Sequence, residues 1–548
     1  MKKTYIKFLG LFVAGALVIS CENEFDESVV EGELYTSGEA DFTNFVAVGN
    51  SLTAGFADGA LYLQGQQNSY PNIMAQQMQL AGGGAFVQPL VNDNLGGLLL
   101  GGNQITQNRF VLASDGMGNP TGPSVLSGTP TTEVSNKVTG PLNNYGVPGA
   151  RVFHLAASGY GSVAGVPAGT ANPYYARFAS SDNATVIGDA AAANPTFFTL
   201  WIGNNDILGY ATSGGSGVDN NDTGETDPRL QGDNSITNNQ LFQGVYTQLV
   251  ATMTANGAEG ALVNIPDVTS IPFFTTVPFA PLSPLDPAFG PQIPVLNQIY
   301  GGLNQIFAAF GQPDRQIQFS STAASAVVVR DNDLPDLSAN PAFINAFVPL
   351  VQGLAASQNP PLMLSNAQAQ GLAQVIAPQF GQVRQANEDD LITFTAAGVI
   401  GTLDQDRFNQ LTGVGLPAAL AGQLSASGIT FALGNQFVLT RTEQDRVERA
   451  QTFYNNVIQD LADANDLAFV DARSALQEVA NGGVFFDGGL LSSTYASGGA
   501  FSLDGVHPTG RGYAYTANFL LQSINAQYGS TLPLVNIGQY PSVQPSDD

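Results

Sequence analysis

One cysteine, two histidines and 17 lysines and arginines in 548 residues leave this chain few routes to chemistry. The lone cysteine, Cys21, rules out an intramolecular disulfide. Cys and His nowhere fall at a spacing that would hold zinc or iron, so neither metal nor cofactor is expected. Against 17 bases stand 44 acids, a formal charge of −27. Phosphate binding needs clustered Lys and Arg, so a nucleic-acid partner is excluded. No glycine-rich loop precedes a helix with a lysine placed to cradle phosphate. Charged residues are scarce at 11%, yet hydrophobic residues reach 44%, which marks a globular chain with a surface of Asn, Gln, Ser, Thr and Gly.

The apolar run from Phe8 to Ile19 is too short for a good membrane span and follows Lys2, Lys3 and Lys7, the layout of a signal peptide. It ends in Leu17-Val18-Ile19-Ser20-Cys21, which resembles a bacterial lipoprotein lipobox, with the only cysteine where a lipid would be attached. The expectation is a signal peptide over 1–20, a lipidated tether over 21–40 and a protein anchored to a membrane of the bacterial cell envelope. A membrane partner is therefore expected through Cys21.

Further on, short apolar strands alternate with helical stretches, the pattern of a parallel α/β sheet. Strands are expected at Phe45–Val48, Phe197–Ile202, Gly260–Ile265 and Leu467–Asp471, with a helix near 442–465 and another after Pro508. Residues 83–140 and 212–236, rich in Gly, Asn, Thr and Ser, read as long surface loops. Residues 267–440 form an insertion, proline-rich early and then helical. Val295, Leu296, Ile299, Tyr300, Leu303, Ile306, Phe307 and Phe310 recur at three- and four-residue steps, as if on one face. This places a catalytic unit at 41–266 and 441–530, a helical cap or second domain at 267–440, and a tail at 531–548.

Acyl transfer by a serine needs an exposed hydroxyl, a base, a group that orients the base and donors for the oxyanion. His507 sits in Asp504-Gly505-Val506-His507-Pro508, where a carboxylate three residues earlier can hold its Nδ1 hydrogen. Ser51 follows the first strand in Gly49-Asn50-Ser51-Leu52, where open α/β sheets place their sites. Asn205, after the second strand, offers a side-chain amide, and Gly149 offers a backbone N–H. Singly, each has a plain structural explanation as a turn, cap or loop residue. His154 reads as a packed or surface histidine. Asp219-Asn220-Asn221-Asp222 lacks the later ligands of a calcium loop.

The ordered set Ser51, Gly149, Asn205, Asp504 and His507 resembles the SGNH (GDSL-like) hydrolase family. There the blocks are Gly-Asp-Ser-Leu, an oxyanion glycine, Gly-x-Asn-Asp (here Gly203-Asn204-Asn205-Asp206) and Asp-x-x-His. Asn50 departs from the usual aspartate. The resemblance covers the catalytic blocks and their strands, and leaves the 267–440 insertion outside. It implies a flavodoxin-like three-layer α/β/α sandwich and a serine esterase or lipase. Ser51 would be its nucleophile, His507 and Asp504 its base pair, and Ser51, Gly149 and Asn205 its oxyanion donors. Its partner would be a small-molecule or polymer-borne ester: a lipid, a short-chain acyl ester or an acetylated glycan. An acyltransferase using the same residues, or a surface lipoprotein that binds glycans or lipids without catalysis, are the other readings. Apolar side chains near 295–310 could roof an acyl pocket, or simply pack the insertion's own core.

Overall fold

The computed structural model describes residues 34–543 apart from 116, 118, 119, 359 and 360. The expected signal peptide, Cys21, most of the tether and the end of the tail lie outside the described residues. No helix among the described residues is long and apolar enough to cross a membrane.

Five strands form a wholly parallel sheet: β1 (Phe45–Gly49), β2 (Asn144–Gly146), β3 (Phe197–Trp201), β4 (Glu259–Val263) and β5 (Ala468–Val470). Their order across the sheet is 5-4-3-1-2. The chain runs outward from β1 to β2, then returns to the other side of β1 for β3. That reversal opens a crevice beyond the carboxyl ends of β1 and β3. Every residue of β1 and β3 is buried, so these strands read as continuous apolar runs without alternation. Four of the strands fall on the expected runs. β2 was not anticipated, because three residues are too few to show a period.

Side chains alternate between the faces of the sheet. Phe197 meets Tyr528 edge-on and Trp201 meets Tyr70, so this face lies under helices α2 (Tyr70–Gln79) and α7 (Gly510–Tyr528). Helices α4 (Asn239–Thr254) and α5 (Arg441–Ala464) pack together elsewhere on the sheet, their Phe242 and Tyr454 rings stacked 3.9 Å apart. α5 begins at a capping box: Glu443 accepts from the Thr440 backbone N–H, and the Thr440 hydroxyl accepts from the Glu443 N–H. Two shorter helices shape the crevice, α1 (Ser51–Ala54) and α3 (Asn205–Thr212), with α6 (Ala472–Asn481) following β5.

The stretch between β4 and α5 builds a core of its own. Leu296, Tyr300, Leu303, Phe307, Phe343 and Phe347 belong to a hydrophobic cluster drawn wholly from residues 277–438. Helices Ile293–Ala309, Pro341–Ala356 and Asn366–Ile376 supply much of it. Two small antiparallel pairs join it, Val328–Arg330 with Val383–Gln385 and Leu391–Ile392 with Val438–Leu439. Within it, Arg384 is held by Asp331 and Asp390 at 2.7 and 2.6 Å.

The two stretches read as loops are more ordered than expected. Residues 83–140 carry the hairpin Phe110–Ser114 with Pro120–Val125 and a three-stranded patch of two- and three-residue strands. Segments that short carry no detectable periodicity among so many glycines. Residues 212–236 include a helical turn, Asn220–Thr223, capped by the Asp219 side chain on the Asn221 N–H.

Candidate active site

Position 49, the last of β1, has no room for a side chain. A Cβ on Gly49 would lie 2.2 Å from the Thr53 hydroxyl and 2.4 Å from the Trp201 carbonyl. The chain then turns into α1, whose first residue is Ser51. Asn50 caps the turn, its Oδ1 accepting from the Leu52 N–H at 3.0 Å. Its Nδ2 donates to Asn204 Oδ1 at 3.1 Å, across the crevice. An aspartate at position 50 could make the cap but could not donate to that oxygen.

Ser51 Oγ lies 2.9 Å from His507 Nε2, and His507 Nδ1 lies 2.9 Å from Asp504 Oδ2. Asp504 accepts further hydrogen bonds: Oδ2 from the Gly59 N–H, and Oδ1 from the Val506 and His507 N–H groups and the Ser502 hydroxyl. Burial alone would raise the pKa of this carboxyl. The His507 charge and the hydrogen bonds from His507 and Val506 outweigh it and hold the group at about 2. Asp504 is therefore an anion throughout the neutral range. The three side chains expected from the sequence are joined as a continuous hydrogen-bonded row.

Asn205 lines the same cavity as Ser51 and His507. Its Nδ2 donates to the Ala150 carbonyl at 2.8 Å, which orients the amide and leaves its second N–H uncommitted. Gly149 precedes Ala150 in a turn closed by the Ala150 N–H on Val147 O, and its φ of +81° is one that glycine adopts without strain. Among the described residues the Ser51 and Gly149 N–H groups have no hydrogen-bond acceptor. Gly149 is exposed and outside the cavity lining, unlike Asn205.

Several residues that hold this row were not singled out in the sequence. Asp58, with a φ of 52°, follows α1 and clamps the Asp504 loop. Its N–H donates to Ser502 Oγ, and its Oδ1 accepts from the Leu503 N–H, each at 2.9 Å. Tyr62 donates to its other oxygen. Nothing local in the sequence signals this, because the two loops meet only in the fold. Asp206 is fully buried and accepts from the Val152 N–H at 2.9 Å, tying the Asn205 turn to the Gly149 turn. Burial lifts its pKa to about 6, with Arg151 pulling the other way. Its position in Gly-Asn-Asn-Asp was the available signal.

His154 is a packed residue. Its Nδ1 accepts from the Arg151 N–H at 3.1 Å, and its ring stacks on Tyr160 at 4.6 Å. Burial, aided by the Arg151 charge, lowers its pKa to about 4. Among the described residues no cluster of three or more His, Cys, Asp and Glu side chains could hold a metal ion. No family model matches the chain, and no curated protein or solved structure matches it.

Proposed function

We propose that the chain is a serine hydrolase of the SGNH type that cleaves carboxylic esters on a flavodoxin-like three-layer sandwich, tethered through Cys21 to a membrane of the bacterial envelope. The observation that carries the reading is the row Ser51–His507–Asp504, with 2.9 Å at each step, at the carboxyl edge of a parallel sheet. His507 Nε2 takes the Ser51 proton while Oγ bonds to the ester carbon. Asp504, ionised and fixed, stabilises the imidazolium that results. The Ser51 and Gly149 N–H groups and the free N–H of Asn205 receive the oxyanion. The carbon–oxygen bond to the alcohol breaks as His507 returns the proton to the leaving oxygen. Water then attacks the acyl carbon, giving a proton to His507, and His507 passes that proton to Ser51 Oγ as the acyl bond breaks and the acid leaves.

The direct test is covalent labelling. A fluorophosphonate should modify the peptide carrying Ser51 in the full-length protein, and the same protein should hydrolyse a short p-nitrophenyl ester. Hydrolysis with Ser51 unmodified, or neither signal, defeats the reading.

A second test addresses the oxyanion. Asn205→Ala removes one donor from the developing charge, a loss of about 10²–10³ in kcat for such donors. It also leaves the buried Ala150 carbonyl without that donor, at a cost of about 1–3 kcal/mol in stability. A kcat reduced to that extent, with KM little changed and a folded protein of lower thermal midpoint, is the expected pattern. Unchanged kcat would remove Asn205 from the site.

A further inference from the structure

We infer that the acyl part of the substrate is an aliphatic chain, held in an apolar slot between α6 and α7; the inference rests on the esterase reading above. A cavity of about 110 Å³ opens at Ser51, Asn205 and His507. Ala472, Leu476 and Val479 line it from α6, at steps of four and three residues. Gly512, Thr516 and Phe519 line it from α7, at the same steps. Each helix thus turns one stripe towards the other. The stripe on α7 spans seven residue steps, about 10 Å along the helix axis, so the slot is longer than an acetyl group needs.

The walls offer a polar substrate nothing. Thr516 spends its hydroxyl on the Gly512 carbonyl at 3.0 Å. The Tyr515 hydroxyl reaches Ala475 O at 3.3 Å and Glu478 Oε2 at 3.2 Å, tying α7 to α6. Trp201 Nε1 donates to the Asn264 carbonyl, and Asn204 Oδ1 is taken by Asn50. The donors left uncommitted at this end of the site are the Ser51 N–H, the second Asn205 N–H and the Asn204 Nδ2 group. A sugar or amino-acid acyl group drawn past these, between the stripes of α6 and α7, would lose its water and gain no partner. An alkyl chain gains by the same exclusion, and apolar slots of this kind stay dry.

The chain in the slot belongs to the acid rather than the alcohol. An alcohol lodged there would sit trapped behind the Ser51 acyl ester it had just left. An acyl chain lodged there leaves the His507 side open to the departing alcohol and to water. The 277–438 unit takes no part: none of its residues lines the slot, and its apolar helices are spent on their own core.

The test is a series of p-nitrophenyl esters from acetate to palmitate with the full-length protein. The value of kcat/KM should rise about two- to four-fold per added methylene until the chain outruns the slot, and then level. Leu476, half-buried in the wall, provides two opposed variants. Leu476→Trp should lower the octanoate-to-acetate ratio of kcat/KM by about ten-fold or more. Leu476→Ala should carry the rise to longer chains. Misfolding cannot move the profile in both directions. A flat or falling series, with acetate still turned over through Ser51, overturns the acyl slot and leaves the esterase standing. A profile that neither variant moves does the same. No turnover of any ester, with no labelling of Ser51, overturns both.

Discussion

Ser51→Ala is expected to lower ester hydrolysis by about 10⁵–10⁶ in kcat while the protein stays folded. The size of the loss follows from the row in which Ser51 stands. His507 Nε2 points at Oγ at 2.9 Å, and among the described residues no second nucleophile stands within hydrogen-bond reach, so the base would have nothing to activate except water. Oxyanion donors and substrate binding survive the substitution and account for the residue of rate. Stability should barely move, because one hydroxyl at a crevice is exchanged for a methyl-sized side chain. Steady-state kinetics on a p-nitrophenyl ester, paired with a thermal melt, separates the two quantities. A rate within ten-fold of wild type would end the assignment.

Asp504→Asn should be nearly as damaging, by about 10⁴, through the tautomer of His507. Oδ1 of Asp504 accepts from Val506 N, His507 N and the Ser502 hydroxyl, so an asparagine would keep its carbonyl there. Its NH₂ would then occupy the place of Oδ2 and point at His507 Nδ1. The imidazole would have to accept at Nδ1 and carry its proton on Nε2, facing Ser51. A base in that state cannot take the serine proton. The same NH₂ would also confront the Gly59 N–H, donor against donor, which costs about 1–3 kcal/mol.

That substitution also has a pH signature. The folded pKa of Asp504, about 2, lies below the ordinary carboxylate value near 3.8. Ionised Asp504 therefore contributes its stability in full above the unfolded pKa, and loses it as pH falls from about 4 through about 2. Urea denaturation at pH 6 and pH 3 should find the gap between wild type and Asp504→Asn narrower at the lower pH. A gap of constant size would mean that the carboxyl is not held by His507.

The legible parts of the molecule were those written in contiguous residues. Phe45–Gly49 and Phe197–Trp201 could be read because a buried parallel strand is one apolar run with a glycine after it. The helix expected near 442–465 is likewise one contiguous stretch, and it is α5. Ser51, Asn205, Asp504 and His507 could be named because each stands at the end of such an element or in a short motif. What could not be read was anything made by two distant segments with ordinary sequences. The Asp58 clamp on Leu503 joins loops at opposite ends of the chain, and neither has a pattern that asks for the other. The slot needs Leu476 to face Phe519, which is settled by how α6 and α7 lean together.

The parallel pairing of β4 with β5 has a consequence for the order of events in the cell. A chain delivered amino end first, at the ribosome or across the membrane, presents β1 to β4 and then the whole of 277–438 before β5. Until β5 and the Asp504 loop emerge, β4 offers unpaired backbone groups to any neighbouring strand, and Ser51 has no base. The Ser51 row is therefore incomplete during most of the chain's delivery, and β5, only three residues long, then takes over the edge from β4.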